Sequence, residues 1–430
     1  MASNIPADSL LLQSARWALV LVALAVATLL VSCGSAEEKE AQEPAAAGTD
    51  VLRASKAGTG GFKVLVGEAG GGFGGDGGLA TAAEIYGPMG VAVDGDGNVY
   101  IAGDHRVRRI DAATGVMTTF AGTGSPGYGG DDAEAAVSRL KLPEGLDMDA
   151  DGNLYIADSG NGRIRKVDVA TGIITTVAGG GQPVAIRRVN TGDGGPATEA
   201  YFREPRDVAV DSKGNIYFVA EDRVRKVDVA TGLISTYAGS GVRGVEGDGG
   251  PANEAKIADS MGLAFDADDN LYIADTDNQR IRKVDGATGI ITTLAGTGVH
   301  GSDETLDQVQ PGKRKVATQG LGYSGDGGPA NEAMMRIPHD LAVGPDGVLY
   351  IADMGNDVIR AVDLSSGIIT TAVGGGAITG KQYDTDGYMG SGAMQITFTN
   401  FSPPRSVAAD GDGNLYIADL KGNKIVKYTP

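Results

Sequence analysis

Acidic side chains with the spacing of a calcium-binding loop occur at one place in the sequence. Asp147, Asp149 and Asp151 alternate before a glycine, and Asp158 stands at the last ligand position of an EF-hand loop. Carboxylates at this spacing could bind Ca²⁺. In the five related segments of the chain, however, Ala replaces Asp147, and no helix-forming sequence flanks the loop. We therefore predict no cofactor and no metal ligands, with a Ca²⁺ ion in an isolated turn as the alternative.

Residues suited to covalent or acid–base catalysis are scarce. The three histidines are His105, His300 and His339, and the sequence contains neither Gly-x-Ser-x-Gly nor a histidine-bearing triad motif. A formal net charge of −19 argues against nucleic acid as a partner, because phosphate binding needs a basic surface. Two basic inserts depart from this balance, Arg187-Arg188 and Lys313-Arg314-Lys315. They could bind an anionic ligand such as an acidic glycan or a partner's carboxylates, or form solvated loops.

The sole cysteine could undergo lipid modification. Cys33 follows Trp17–Val31, an apolar run of about fifteen residues, which is the length of a signal-peptide core and short for a membrane span. Arg16 supplies a positive charge before the run. The sequence Leu30-Val31-Ser32-Cys33 resembles the bacterial lipobox, and this resemblance implies cleavage before Cys33 and acylation of its thiol. The alternative is an unmodified cysteine after an ordinary signal peptide or anchor helix.

These features predict three parts of the chain. Residues 1–32 form a lipoprotein signal peptide, residues 33–61 a flexible tether rich in Ala, Glu, Gly and Lys, and residues 62–430 the folded domain. Export and lipid anchoring at Cys33 would place the protein on the bacterial cell envelope, bound to a membrane. Because Gly34 is not the Asp associated with inner-membrane retention, the outer membrane or the cell surface is favoured.

One sequence unit occurs six times in the folded domain. It begins with an apolar alternating stretch, a Gly/Asn/Asp turn and a second β-prone stretch such as Leu154–Ala157. A third stretch, Arg163–Val167, and a fourth, Ile173–Gly179, follow. Four short antiparallel strands of this kind form one blade of a β-propeller, and a blade buries both faces only between neighbours. The six copies start at Val91, Leu146, Val208, Leu263, Leu341 and Val407.

The two ends of the domain predict how the ring closes. Five copies contain the fourth strand, whereas the sixth ends at Lys424–Tyr428, directly before Thr429 and Pro430. Phe62–Gly67 matches the missing strand and would complete the last blade, covering its exposed edge. We therefore predict an all-β fold: a monomeric six-bladed β-propeller of four-stranded antiparallel blades, closed by an N-terminal strand.

The repeated unit resembles a known family. The pattern Pro-x-Gly-Val-Ala-Val-Asp-x-x-Gly-Asn-Leu-Tyr-Ile-Ala-Asp-x-x-Asn-x-Arg-Ile-Arg-Lys-Val-Asp is similar to the NHL repeat. The linker at 192–200 resembles one in bacterial extracellular NHL proteins and in the teneurin propeller. The resemblance covers about residues 62–430, with the unit shortened at 103–105 and 220–222. It implies a six-bladed propeller but no single activity, because relatives include binding modules, an amidating lyase and lactonase-like enzymes.

Polar residues that recur in the blades are interpreted as structural, because a residue repeated around a ring serves the ring. Asp158, Asn161 and Arg163 recur in the fourth copy. We expect them to make turn hydrogen bonds and an Asp158–Arg163 ion pair. The acidic residues of the Gly-Asp-Gly-Gly linkers are interpreted in the same way: Asp76, Asp193, Asp248 and Asp326.

The linkers between blades predict a candidate ligand site. All of them should project from one face of the propeller, and the residue after each linker's end should lie on the rim of the central channel. These residues are Met89, Glu144, Arg206, Met261, His339 and Arg405. Glu144, Arg206, His339 and Arg405 are the candidate ligand-binding residues, and a hydrated channel entrance without ligand is the alternative. Asp207 and Asp340 come one residue later and should point away from their neighbours, because side chains alternate along a strand.

Three functions are compatible with the predicted fold, anchor and rim. The favoured one is a membrane-tethered extracytoplasmic binding module, without catalytic residues, that presents its loop-rich face to a protein or a glycan. The second is a lactonase-like, metal-dependent hydrolase or lyase at the channel mouth, centred on Glu144 and His339. The amidating-lyase relatives hold zinc through several histidines, whereas only His339 lies on this rim. The third is a purely structural envelope protein.

Overall fold

The computed structural model describes residues 61–68, 70–181, 192–298, 324–374 and 403–430, which all belong to the compact unit Gly48–Pro430. Several features noted above lie outside the described residues. These are Cys33 with the signal peptide and nearly all of the tether, both basic inserts and His300. None of the helical segments in the described part has the length and apolar character needed to cross a bilayer.

Six antiparallel sheets form six blades, and each runs from an inner strand at the channel to an outer strand. Blade 1 contains β2 (Gly90–Val93), β3 (Val99–Gly103), β4 (Arg106–Ile110) and β5 (Met117–Ala121). Blade 2 contains β7 (Pro143–Met148), β8 (Leu154–Asp158), β9 (Arg163–Val167) and β10 (Ile173–Gly179), with the short β6 (Ala133–Glu134) added to its outer edge. Blade 3 contains β11 (Val208–Val210), β12 (Ile216–Val219), β13 (Val224–Val227) and β14 (Ile234–Ala238).

The second half of the ring repeats this arrangement. Blade 4 contains β15 (Leu263–Phe265), β16 (Leu271–Asp275), β17 (Arg280–Val284) and β18 (Ile291–Ala295). Blade 5 contains β19 (Pro338–Val343), β20 (Val348–Asp353), β21 (Val358–Asp363) and β22 (Ile369–Gly374). Blade 6 contains β23 (Pro404–Ala409), β24 (Leu415–Asp419), β25 (Lys424–Thr429) and β1 (Gly61–Val66). Short 3-10 turns lie at Ala80–Ala82, Ala135–Val137, Ser159–Asn161, Ala197–Glu199, Ala252–Glu254, Ala330–Glu332 and Met354–Asn356.

The first strand of the domain completes the last blade, as the sequence predicted. β1 pairs antiparallel with β25, from Gly61 opposite Thr429 to Val66 opposite Ile425. Leu65 and Val66 are fully buried. The inner strands contact one another in chain order, and β23 contacts β2. The six blades therefore form a closed ring, and the predicted all-β, six-bladed fold is confirmed.

The hydrophobic core lies between neighbouring blades. All described residues of the second strands are buried in blades 1–4 and 6, which is the pattern of a sheet covered on both faces rather than the alternation of a half-exposed one. Their tyrosines place a ring in the core and donate the hydroxyl to the Asp of the hairpin turn, as Tyr155 donates to Asp149 at 3.0 Å. Each blade thus covers the apolar faces of its neighbours.

One expected contact has a different partner. Asp158 is completely buried and pairs with Arg165, at 3.5 Å, rather than with Arg163. Arg163 lies over the ring of Tyr128 instead, with its guanidinium carbon 3.7 Å from the ring centroid. Arg165 also pairs with Asp131 of the preceding linker at 2.6 Å. Arg165, which is fully buried in β9, therefore pairs with both Asp158 and Asp131 of the linker, while Arg163 contacts the linker through Tyr128.

Candidate ligand site at the channel mouth

A cavity of about 270 Å³ lies on the axis of the ring. It is lined along its length by the six inner strands, to their last residues, and by the residue or two preceding some of them, one stretch from each blade. All six residues of the expected rim line this cavity: Met89, Glu144, Arg206, Met261, His339 and Arg405. The propeller topology therefore brings together the four candidate ligand-binding residues, which come from blades 2, 3, 5 and 6.

Glu144 joins two arginines across the channel mouth. Its Oε1 accepts a hydrogen bond from Nη1 of Arg206 at 2.9 Å, and its Oε2 accepts one from Nη2 of Arg405 at 2.8 Å. The arginines belong to blades 3 and 6, which are opposite each other in a ring of six. The Glu144 side chain is 9% exposed, compared with 15% for Arg405 and 30% for Arg206. We call this set of three residues the Arg–Glu–Arg bridge.

The bridge does not use all of the guanidinium donors. Nη2 of Arg206 also bonds to Glu204, at 3.2 Å, but the Glu204 side chain is 57% exposed. Nε of Arg405 is buried and has no hydrogen-bond partner among the described residues. Both oxygens of Glu144 are already occupied by cations. Within the bridge, the unused polar atom is therefore a donor, Nε of Arg405, and not a carboxylate oxygen.

His339 is buried beside the bridge without adding charge to it. Burial and the positive charge of Arg405 lower the pKa of the His339 imidazole to about 3, so the ring is neutral at physiological pH. Its hydrogen bond with the backbone of Arg405 acts in the opposite direction. The described residues contain no group of three or more His, Cys, Asp or Glu side chains placed to bind a metal ion together. No contact in this site favours the metal-dependent alternative.

Three buried carboxyl groups lie below the mouth, and the rim prediction did not include them. Asp147 accepts the N–H of Val210 at 2.8 Å, Asp207 that of Leu263 at 2.7 Å, and Asp340 that of Val407 at 3.1 Å. Each acceptor belongs to one blade and its donor to the inner strand of the next blade.

Burial raises the pKa of Asp147 to about 7 and that of Asp340 to about 6. The pKa of Asp207 is also well above its usual range, because of burial and the nearby Asp340. The sequence contained a signal for this set of buried carboxyl groups, namely an acidic residue near the start of an inner strand, as at 207 and 340.

The acidic residues with EF-hand spacing do not meet at one point. Asp149 accepts hydrogen bonds from the backbone of Asp151 and Asn153 at 3.1 and 2.9 Å, within the β7–β8 turn. Asp147 bonds to blade 3 and Asp158 to Arg165, as described above. Protein donors thus bond to three of the four carboxylates with this spacing, Asp147, Asp149 and Asp158, each in a different place.

Comparison with known proteins decides the family. The teneurin NHL domain matches residues 68–127 and 177–245, and the NHL repeat matches residues 140–167. The chain is an NHL-repeat β-propeller. It is 28% identical to Danio rerio teneurin-3 over 348 residues, which cover 66% of this chain and 12% of the teneurin.

Two other relatives have a similar identity. Homo sapiens teneurin-1 is 27% identical, with the same coverage of both chains. Arabidopsis thaliana protein SUPPRESSOR OF QUENCHING 1, chloroplastic, is 26% identical over 69% of this chain and 25% of its own. The chain thus spans only a small part of the length of these relatives.

Solved structures share the fold. A Bacteroides thetaiotaomicron protein of unknown function superposes with a TM-score of 0.56 at 20% identity, over 86% of this chain and 76% of that one. A Bacteroides ovatus auxiliary nutrient binding protein gives a TM-score of 0.55 at 14% identity with the same coverage. At these identities the likeness concerns the propeller fold alone.

Proposed function

We propose that this NHL propeller is a binding module that receives its ligand at the channel mouth. One observation carries the proposal. The second strands repeat nearly the same residues in every blade, whereas the equivalent rim positions hold Met, Glu, Arg, Met, His and Arg. A requirement of the ring itself would repeat around the ring, so this asymmetry serves something that the ring contacts.

The site has the character of a binding site. It is partly enclosed, it has apolar and charged residues on one rim, and Nε of Arg405 is a buried donor without a partner among the described residues. The Bacteroides ovatus auxiliary nutrient binding protein has the same fold, so a protein described as binding a nutrient can be built on this propeller. The sequence around Cys33 supports an exported, lipid-anchored module whose partner is a protein, a glycan or a small molecule released near the envelope.

Thermal-shift screening tests the proposal. The full chain is screened against a library of metabolites, oligosaccharides and peptides, because a ligand at 100 times its Kd stabilises the folded state by about 2.7 kcal/mol. Hits that bind at the mouth should raise the Tm of the wild type but not that of the Arg206→Gln/Arg405→Gln double variant. The Lys226→Gln/Lys283→Gln variant is the matched control, because it loses the same charge on outer parts of blades 3 and 4. Hits that stabilise all three proteins equally would move the binding site away from the rim.

A further inference from the structure

The charge at the mouth is not balanced. The Arg–Glu–Arg bridge contains two guanidinium groups and one carboxylate, and His339 is neutral beside them. Glu204 is exposed, so solvent screens its contribution. Among the rim residues there is therefore one more guanidinium than buried carboxylate. Asp147, Asp207 and Asp340 line the cavity below, but burial holds the pKa of each above its usual range, so they offset this excess less than ordinary Asp side chains would. The rim thus favours an anion.

The geometry of the bridge indicates which anion fits. Glu144 is itself a carboxylate held between the guanidiniums, with one bond to each of them. A guanidinium can donate two parallel hydrogen bonds to one carboxylate. The buried Nε–H of Arg405 donates to no acceptor among the described residues. A second carboxylate could therefore bind here in competition with Glu144.

The remaining rim residues indicate what is attached to that carboxylate. Met89 and Met261 line the cavity from blades 1 and 4, which are opposite each other. An apolar side chain therefore lies on each side of the bridge. Methionine side chains adapt to apolar groups of different shapes. None of the six rim residues is Phe, Tyr or Trp, so the rim lacks the large aromatic face on which a sugar ring stacks. The whole axial channel has a volume of about 270 Å³, so the mouth has room for one small group.

We propose that the mouth binds the carboxylate of a small organic acid with a short apolar body, between Arg206 and Arg405 and in competition with Glu144. This inference rests on the proposed function and names the ligand class for the same site. The carboxylate displaces Glu144 from the guanidiniums, and the apolar body lies between the two methionines. The carboxyl-terminal residue of a peptide offers the same chemistry.

Calorimetric titration of the full chain with matched acids and amides tests this assignment. Hexanoate should bind at least ten times more tightly than hexanamide, which has the same apolar body without the charge. N-acetylleucine and its amide form the second arm, and the tighter of the two acids shows whether a free acid or a peptide terminus is the better source. Inorganic phosphate is the third probe, and tighter binding of phosphate than of both acids would overturn the carboxylate assignment.

Variants of the bridge give the sharper test. Glu144→Gln removes the competing carboxylate, so hexanoate should bind about tenfold more tightly, whereas Arg405→Gln should weaken it at least tenfold. Glu246→Gln is the matched control, because it removes one equally charged carboxylate from an exposed site on another loop. Arg206→Gln, at a more exposed position, repeats the Arg405 test if that variant unfolds by circular dichroism.

The possible outcomes separate the two proposals. Weaker hexanoate binding by Glu144→Gln would show that Glu144 contacts the ligand, and it would overturn the competition. Equal binding of acid and amide, still dependent on the rim, would overturn the ligand class and leave the binding module standing. No binding of any probe to wild type or Glu144→Gln would also overturn the ligand class, while the screen with the double variant decides the proposed function independently.

Discussion

At the scale of single residues, the channel contains two sets of ionisable groups with opposite surroundings. The rim carries two arginines that share one carboxylate, Glu144. Below them, Asp147, Asp207 and Asp340 are buried where a charge is costly, and burial raises the pKa of each carboxyl. These carboxyl groups accept backbone N–H groups of neighbouring inner strands, so they join blades at the axis. Their protonation should therefore make stability depend on pH.

Replacing Asp147 with Asn should flatten that dependence. The ordinary Asp pKa is 3.8, and that of folded Asp147 is about 7. Below pH 3.8 both the folded and the unfolded state hold the proton. Between these values only the folded state holds it, so the stability contributed by Asp147 is lost as the pH rises towards 7. Asn does not titrate, so Asp147→Asn should gain on the wild type by up to about 1.4 kcal/mol per pH unit in this window.

Urea denaturation at pH 5, 6, 7 and 8 measures this difference. Any fixed cost of the unmatched Asn amide is the same at every pH and leaves the slope unchanged. Asp228→Asn is the control, because Asp228 lies in an exposed turn where hydrogen bonds from Thr231 lower its pKa, so its effect should be constant from pH 5 to 8. Parallel pH profiles for Asp147→Asn and wild type would contradict the argument.

The rim positions could be predicted from the sequence, but their contacts could not. The repeat fixes which residue follows each linker, and all six expected rim residues line the cavity. The bonds of Glu144 to Arg206 and Arg405 join residues 62 and 261 positions apart. Such contacts depend on how far side chains reach across the channel, which spacing along the chain does not encode. For the same reason the partner of Asp158 was predicted wrongly, since Arg163 stands opposite it in the strand register but stacks on Tyr128.

At the scale of elements, one recurring contact fastens the linkers to the blades. In blade 4, buried Arg282 of β17 bonds to Asp248 of the preceding linker, and Asp248 also accepts the hydroxyl of Thr293 in β18. The same contacts recur as Asp76–Arg108–Thr119, Asp193–Arg225–Thr236 and Asp326–Arg360–Thr371. The sequence showed the recurring Asp, but only the fold shows that an arginine of the third strand is its partner. In blade 6, Val426 occupies that position.

Removing Arg282 should be among the most damaging changes in a blade. Its side chain is completely buried between Asp248 and the buried Asp275. Without the guanidinium, Asp275 remains buried with no cation, so Arg282→Ala should cost about 3–5 kcal/mol in the free energy of unfolding. Arg282→Met keeps most of the volume and separates the lost charge from the lost packing.

Lys213→Ala is the comparison for Arg282→Ala, because Lys213 pairs with Asp269 at 3.4 Å while its side chain is 74% exposed. That change should cost less than about 1 kcal/mol. Denaturant unfolding followed by circular dichroism measures both. Similar losses for Arg282→Ala and Lys213→Ala would show that the buried pair does not hold the linker.

At the scale of the whole molecule, the first strand and the last three strands of the domain share one sheet. Leu65 and Val66 of β1 belong to the hydrophobic cluster between blades 6 and 1, together with Val91, Tyr416 and Ile425. Without β1, this cluster would lose two fully buried side chains and β25 would become an exposed edge. The sequence predicted this closure because the missing element of the last repeat stands before the first one. Closure should therefore depend on the presence of β1 and not on its place in the chain.

A circular permutant tests this. Its chain begins at residue 68, runs to Tyr428, continues through a five-residue turn and ends with residues 61–67. The turn is Asp-Val-Ala-Thr-Gly, the sequence that joins β9 to β10 in blade 2. β1 becomes the local partner of β25, so the permutant should match the stability of chain 61–430 within about 1 kcal/mol and fold faster, because long-range pairing slows folding. The same chain without residues 61–67 should lose more than the 2–5 kcal/mol typical of one buried Leu→Ala change. Denaturation and stopped-flow refolding measure both effects. Equal stability of the shortened and permuted chains would mean that the ring closes without β1.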